Sequence, residues 1–253
     1  MNLAPVSLKS FALKDDQIAE KYSIRISQYE VQTSNEEIFN DLSRIEADIY
    51  GFTTYVWNID KILELSKRLK TTYPNALILL GGPEVTGIGE RLLEKHNYLD
   101  FIFIGEGEYP FKAFLAKTDL NLIPGLAYRT NGNIYSNPKQ SLASLDELSL
   151  PYETEEYRDY LDSCTTPVRA AIETSRGCPF ACAYCTWGKR KMRYFDLDKL
   201  KPAFKYLFNH PNVKTVYITD SNPFLKKRRT RELIEFVIKE NIHKKLVTFE
   251  ASP

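Results

Sequence analysis

Short apolar runs alternate with longer amphipathic segments along most of this 253-residue chain. Runs of about four to eight residues that are apolar or alternate apolar with polar, bounded by glycine, proline or polar residues, are typical of β-strands. Apolar positions three and four apart instead predict helices. Alternation of the two patterns predicts parallel sheets covered by helices, an α/β fold. The predicted strands are residues 22–29, 48–52, 76–80, 101–104, 168–173, 215–218 and 246–250.

Two local signals predict where individual elements begin or turn. Ser34 and Glu37 have the spacing of a capping box and precede an apolar stripe, so a helix is expected to start there. Asn131 and Gly132 separate two short apolar runs, which predicts a tight β-hairpin.

Residues 136–166 interrupt the alternation. They contain two prolines and an acidic stretch, with little periodicity. We interpret them as an inter-domain linker between an α/β domain at 1–135 and a second domain at 167–253.

The composition gives no indication of a nucleic-acid or membrane partner. The formal net charge is only +1, so nothing global indicates nucleic acid or an anionic membrane surface. No apolar run approaches the ~20 residues of a spanning helix, and no signal peptide precedes the first domain. We therefore expect a cytoplasmic protein with reduced thiols and no membrane partner.

The loops that follow the predicted strands of the first domain carry candidate ligand contacts. In open α/β sheets, ligands lie beyond the carboxyl ends of the strands. Small residues there allow close approach of the backbone, although the same glycines could simply form tight turns. The nucleotide fingerprint G-x-G-x-x-G is absent, so a nicotinamide cofactor is poorly supported. The candidates are Thr53, Thr54, Gly81, Gly82 and Gly105.

Three of the four cysteines form the pattern C-x₃-C-x₂-C, at Cys178, Cys182 and Cys185. Three thiolates on one loop are soft ligands for zinc, copper(I) or an iron–sulfur cluster. A structural zinc site normally has four ligands, and no histidine lies near the triad in sequence. Cys164 is the other residue that could complete such a site. An iron–sulfur cluster with one open position is favoured, and a structural zinc module is the alternative.

This triad, with the aromatic Tyr184 before its last cysteine, resembles the signature of the radical S-adenosylmethionine (SAM) superfamily. The phrase from Glu173 to Pro179 is similar to the subgroup that carries an N-terminal cobalamin-binding-type domain. The segments at 48–53, 80–84 and 104–108 agree with that domain. The resemblance covers nearly the whole chain.

The resemblance implies a Rossmann-like (flavodoxin-like) cobalamin-binding-type domain followed by the first part of a radical SAM partial (βα) barrel. It implies a 4Fe–4S cluster on the three cysteines, with SAM bound to the fourth iron. One-electron reduction would cleave SAM to a deoxyadenosyl radical that attacks a small-molecule or peptide substrate. An electron donor such as flavodoxin or ferredoxin would be a partner. The SAM contacts implied are Tyr184, Asp220 and Arg193. The alternatives are that Asp220 caps a turn and that Arg193 lies on a solvated face.

The sequence departs from the family in two respects. It has no D-x-H-x-x-G, and none of its three histidines lies in an early loop, so any cobalamin would bind without a protein histidine on cobalt. The pattern also shows only three strand–helix units after the linker and no strand before the first helix. We therefore expect a fragment of a longer enzyme. The alternative is a non-catalytic protein, a zinc module or a degenerate corrinoid carrier.

Overall fold

The computed structural model describes residues 2–139, 144–183, 185 and 190–250. Contacts between residues divide the chain into two units. One is Ser7–Leu142, called here the N-terminal unit. The other, called the C-terminal unit, combines Met1–Val6 with Ala143–Pro253.

The N-terminal unit is built around one five-stranded sheet. Its strands are β1 (Ile49–Thr53), β2 (Leu77–Gly81), β3 (Phe101–Phe103), β4 (Leu126–Thr130) and β5 (Asn133–Ser136). They lie in the order β1-β2-β3-β4-β5, with β1 to β3 parallel and the last two strands antiparallel. The strands predicted at 48–52, 76–80 and 101–104 are confirmed. The carboxyl ends of β1, β2 and β3 therefore meet at one edge of the sheet.

Helices bury both faces of this sheet. Ile78 and Leu80 lie in one core cluster and Leu79 in another, because successive residues of a strand point to opposite faces. Burial on both faces explains why β2 is a continuous apolar run. The helices in this part of the chain are α1 (Leu3–Ala12), α2 (Asp16–Lys21), α3 (Asn35–Ser43), α4 (Ile59–Thr72), α5 (Gly89–Lys95) and α6 (Glu108–Leu115), with short 3-10 helices at Glu84–Gly87 and Leu120–Leu122.

Both local signals are confirmed. The Ser34 hydroxyl accepts from the Glu37 amide at 3.2 Å, and the Ser34 amide donates to the Glu37 carboxylate at 3.1 Å, which completes the capping box of α3. Asn131 and Gly132 have φ angles of 48° and 78° and join β4 to β5. Two positive φ angles are the requirement of a type I′ hairpin turn.

The strand predicted at 22–29 is wrong. These residues have no regular secondary structure. Tyr22 and Ile24 pack against the small apolar cluster of Ala12, Ile18 and Leu115. The apolar side chains that suggested a strand are thus partly buried against this cluster, without pairing to a sheet.

The C-terminal unit contains a parallel sheet and a separate hairpin. Strands β6 (Val168–Ile172), β9 (Val213–Ile218) and β10 (Leu246–Phe249) form the sheet, in the order β10-β9-β6. Strands β7 (Ser175–Cys178) and β8 (Arg190–Tyr194) pair antiparallel. Helices α8 (Leu197–Asn209) and α9 (Lys227–Glu240) precede β9 and β10. The strands predicted at 168–173, 215–218 and 246–250 are confirmed.

The segment 136–166 holds helix α7 (Glu155–Ser163) and a 3-10 helix at Pro151–Glu153. Tyr152, Tyr157 and Leu161 are buried, so this segment contributes to a core. The domain boundaries at 135 and 167 stay predictions. The longest helices described, α4 and α9, have 14 residues each, and none in the described ranges has the length and apolarity to cross a bilayer.

Candidate cofactor sites

The candidate residues of the N-terminal unit meet at the carboxyl edge of its sheet. Thr53 ends β1 and Gly81 ends β2, and the two residues are paired in register. Gly105 follows β3 with a φ of 102°, a conformation that glycine adopts without strain. The structure therefore brings together the loops after β1, β2 and β3, which we call the strand-end loops.

Thr54 holds two of these loops together. Its amide and its hydroxyl both donate to the carbonyl oxygen of Gly81, each at 2.7 Å, and its side chain is completely buried. The hydroxyl that the sequence offered as a ligand contact is therefore bonded to backbone. Thr54 positions the loops, and Thr53 and the glycines remain as the residues that can face a ligand.

Gly82 is required by this close approach. An added Cβ would lie 2.5 Å from the Thr54 carbonyl oxygen and 2.8 Å from its nitrogen, both backbone atoms that cannot rotate away. Its φ of 109° is also unfavourable for any residue with a side chain. Glycine at position 82 is therefore explained by the close packing of the strand-end loops. This agrees with the alternative that the glycines form tight turns.

A stacked aromatic pair with one exposed member lies beside these loops, and it was not among the candidates predicted from the sequence. Tyr55 and Trp57 stack with ring centroids 4.6 Å apart, and Trp57 is 62% exposed. Asn58 fixes their loop, accepting from the Tyr55 amide at 2.7 Å and donating to the Thr53 carbonyl at 3.1 Å. The signal available in the sequence was two aromatic residues directly after a strand, where a flat apolar surface can meet a ligand.

No histidine of the N-terminal unit reaches this edge. His96 is the only one in that unit, and it lies at the carboxyl end of α5, which leads into the amino end of β3. Its Nδ1 is 2.9 Å from the Tyr98 hydroxyl, and burial lowers the pKa of its ring. Any corrinoid at the strand-end loops would have to bind without this imidazole.

The cysteine triad begins at the last residue of β7 and continues on the loop that follows it. Cys178 ends β7 and is buried, whereas Cys182 and Cys185 are exposed, and all three are thiols rather than halves of a disulfide. The Cys185 amide donates to the Cys182 carbonyl at 3.1 Å. Within the described ranges no three histidine, cysteine or carboxylate side chains are grouped closely enough to hold a metal ion. The donor chemistry fits an iron–sulfur cluster, since three thiols lie within eight residues. Tyr184 lies outside the described residues.

Asp220 is buried at the carboxyl end of β9, and its carboxylate accepts four hydrogen bonds. The amides of Thr174 and Ser175 donate to Oδ1 at 2.7 and 3.0 Å, and their hydroxyls donate to Oδ2, both at 2.6 Å. Only 2% of Asp220 is exposed. The carboxylate is thus used within the protein, where it joins β9 to the turn between β6 and β7.

The two neighbours of Asp220 extend this connection. The Thr219 amide donates to the Ile172 carbonyl at 2.9 Å, and the Ser221 hydroxyl donates to the Gly177 carbonyl. Three consecutive residues therefore bind the segment that leads into Cys178. We call Thr219, Asp220 and Ser221 the 219–221 clamp.

Arg229 supports the clamp from α9. Its guanidinium donates to the Thr174 hydroxyl at 3.3 Å and to the carbonyls of Thr174 and Phe195 at 3.1 and 2.9 Å. Burial lowers the pKa of Arg229, and the nearby charge of Asp220 acts in the opposite direction. This cation therefore fixes the β6–β7 turn and the end of β8 from a second side.

Arg193 lies on β8 opposite Arg176 of β7. Arg176 itself donates to both carboxylate oxygens of Glu173 at 3.0 Å. The Glu173 amide in turn donates to the hydroxyl of Tyr152, whose pKa burial raises well above its ordinary value.

The structure brings three of the candidate residues to one part of the C-terminal unit: Cys178, Arg193 and Asp220. The role of Arg193 as a SAM contact stays a prediction.

Two family models match the two units of this architecture. The B12 binding domain matches residues 16–115, and the radical SAM superfamily matches residues 172–253. The chain therefore carries a B12-binding domain followed by a region that matches the radical SAM superfamily. The radical SAM match implies a 4Fe–4S cluster and SAM as cofactors, and the B12-binding match makes cobalamin a candidate third one.

Among curated proteins, the chain is 30% identical to the cobalamin-dependent radical SAM methyltransferase TokK of Streptomyces tokunonensis, over 85% of this chain and 33% of that protein. It is 30% identical to the anaerobic magnesium-protoporphyrin IX monomethyl ester cyclase of Synechocystis sp., over 72% of this chain and 38% of the relative. The chain thus spans little more than a third of the length of these relatives.

Solved structures agree on the fold. The cobalamin-dependent S-adenosylmethionine radical enzyme OxsB superposes on 99% of this chain with a TM-score of 0.81 at 20% identity, over 36% of its own length. The radical SAM methyltransferase TsrM from Kitasatospora setae, solved with cobalamin and a [4Fe-4S] cluster, superposes on 97% of the chain, over 50% of its own length, with a TM-score of 0.67 at 15% identity. The α/β fold with a B12-binding domain and a radical SAM region is confirmed.

Proposed function

We propose that this chain is the cofactor-binding part of a cobalamin-dependent radical SAM enzyme that acts on a small-molecule or peptide substrate. The observation that carries the proposal is the cysteine loop, three thiols that follow a strand fixed by the 219–221 clamp. The likeness to TokK favours methyl transfer as the outcome. Reduced thiols fit a cytoplasmic location.

A bound 4Fe–4S cluster would supply one electron that breaks a carbon–sulfur bond of SAM, giving methionine and a deoxyadenosyl radical. Cys178, Cys182 and Cys185 would ligate the cluster. The clamp holds the strand that carries Cys178 against the carboxyl end of β9, so the loop has a fixed base. Arg193, on the strand beside it, offers a cation for the SAM carboxylate.

The proposal is tested by anaerobic reconstitution with iron and sulfide. We expect a reduced protein with a 4Fe–4S signal in low-temperature electron paramagnetic resonance (EPR), a signal that changes when SAM is added. Deoxyadenosine should then accumulate, as measured by mass spectrometry. A colourless protein that holds one zinc ion would instead support the structural zinc alternative and contradict the proposal.

We propose that cobalamin binds at the strand-end loops of the N-terminal unit. Glycines without side chains line this edge, and the exposed Trp57 ring, stacked on Tyr55, offers a flat apolar surface beside it. His96, the histidine of this unit, lies away from this edge, so it would not serve as a ligand of the cobalt.

The Gly82→Ala variant tests that location. The added methyl group meets the Thr54 backbone, so we expect the free energy of unfolding to fall by about 3 kcal/mol or more and hydroxocobalamin binding to weaken at least tenfold. Urea denaturation and an absorbance titration measure the two effects.

The matched control is Gly132→Ala, since Gly132 has a similar positive φ of 78° but nothing within 4 Å of the added Cβ. This variant should lose only about 1–2 kcal/mol and keep its cobalamin affinity. Equal cobalamin binding by the Gly82→Ala variant would place the corrinoid elsewhere.

A further inference from the structure

A concentration of positive charge lies at the start of α9. Residues 226–231 read Lys-Lys-Arg-Arg-Thr-Arg, five cations in six positions, in a chain whose formal net charge is only +1. Arg229 points into the protein and binds the Thr174 carbonyl, as described above. The other four cations are exposed, and we call them the basic surface: Lys226, Lys227, Arg228 and Arg231.

The charge of the basic surface is not neutralised locally. In the part of the chain that the structure describes, none of its four cations forms a salt bridge. The nearest carboxylate along the helix, Glu232, is bonded to Lys201 at 3.2 Å, and Glu235 follows one turn of α9 beyond Arg231. Four unpaired cations on one short stretch generate a strong local field.

The basic surface lies next to the strands that lead to the cysteine loop. α9 begins after the carboxyl end of β9, which is the same edge of the parallel sheet at which β6 leads into β7. The ammonium of Lys226 is 4.0 Å from the ring centroid of Tyr194, and Tyr194 pairs with Ser175 of β7. Lys191, also exposed, lies on β8 close to the partner of Cys178. The basic surface therefore borders the base of the β7–β8 hairpin, and the other end of this hairpin carries the cysteine loop.

We propose that the basic surface is the docking site of a small acidic redox protein that reduces the cluster. This inference rests on the proposed function, since it requires a cluster on the cysteine loop. The donor loses one electron, the cluster gains it, and no atoms are exchanged. Redox encounters of this kind are short-lived and use small interfaces, for which opposite charge supplies orientation and a faster association rate.

Nucleic acid is a different anionic partner that a basic stretch could bind. The position of the surface beside the cysteine loop favours a redox partner, because an electron must reach a thiolate site from outside. The formal net charge of +1 also gives no global indication of a nucleic-acid partner.

The test compares two triple variants of the reconstituted protein, with a flavodoxin of net negative charge as the probe. The first, Lys227→Glu, Arg228→Glu and Arg231→Glu, reverses the basic surface. The second, Lys214→Glu, Lys239→Glu and Lys244→Glu, makes the same charge change on exposed residues at the amino edge of the same sheet. We expect association of flavodoxin, followed by stopped-flow fluorescence, to slow at least tenfold only in the first variant at low ionic strength.

Two further conditions decide the interpretation. The difference between the two variants should shrink as salt is raised, since exposed charges are screened beyond about 10 Å at 0.1 M. Association that is equal in both variants, or a DNA duplex that binds the unchanged protein more tightly than flavodoxin does, would overturn the proposal. SAM cleavage is measured in parallel with dithionite, which needs no docking surface. If the unchanged protein fails with dithionite, the proposed function fails, and the association rates still decide the docking site.

Discussion

The Cys182→Ala variant is expected to lose its iron–sulfur cluster and keep its fold. Cys182 is exposed on a loop, so removing its thiol leaves no cavity and no unpaired buried group. A three-thiolate site that loses one ligand cannot hold the cluster in place. Iron and sulfide content per chain should fall close to zero after reconstitution, while circular dichroism and the urea midpoint stay unchanged.

Cys164→Ala is the control for this result, and it also separates the two metal hypotheses. Cys164 follows α7, and its thiol lies 3.1 Å from the Tyr160 carbonyl. We expect this variant to bind a full cluster. If Cys164→Ala abolished metal binding, Cys164 would be the fourth ligand of a zinc site. If Cys182→Ala kept its iron, the assignment of the triad would be wrong.

The Asp220→Ala variant is expected to have the second large effect. It leaves two buried amides and two hydroxyls without their acceptor, and each unpaired buried donor costs about 1–3 kcal/mol. We expect the free energy of unfolding to fall by about 3–5 kcal/mol. The strand that carries Cys178 should also lose its fixed base, so cluster occupancy should fall with it.

The conservative variant Asp220→Asn distinguishes positioning from direct contact with SAM. Its remaining oxygen can accept from the two backbone amides, and the hydroxyls of Thr174 and Ser175 can rotate to meet the side-chain amide. We expect a loss of about 1–2 kcal/mol and an intact cluster. Its EPR signal should still change on addition of SAM. An asparagine variant of normal stability that no longer responds to SAM would show that Asp220 touches the cofactor.

Local sequence signals were enough to predict much of the fold. The capping box at Ser34, the hairpin at Asn131 and six of the seven predicted strands depend on residues close in sequence, where turn chemistry and periodicity act directly. The strand at 22–29 failed because its apolar residues pack on helices instead of joining a sheet. The β7–β8 hairpin was not predicted, since its strands are separated by the cysteine loop.

The roles of individual site residues needed contacts that no local pattern encodes. Thr54 and Asp220 were both candidate ligand contacts, with a turn cap as the alternative for Asp220, and both have side chains bonded within the protein. Their partners, Gly81 and the Thr174–Ser175 pair, lie 27 and about 45 residues away in sequence. Tyr55 and Trp57 became candidates only because their rings are stacked and Trp57 is exposed.

The sequence by itself indicated an α/β fold and, through the resemblance of its three spaced cysteines to the radical SAM signature, the class of protein. Both signals are carried by residues that are close together along the chain. Tertiary structure decided which polar groups at the strand ends remain available to a ligand. A buried hydroxyl or carboxylate must find partners wherever the fold brings them, and those partners came from distant strands. Thr54 therefore joins two strand-end loops, and Asp220 joins β9 to the turn that leads into β7. The basic surface stays exposed to solvent, where a partner protein can reach it.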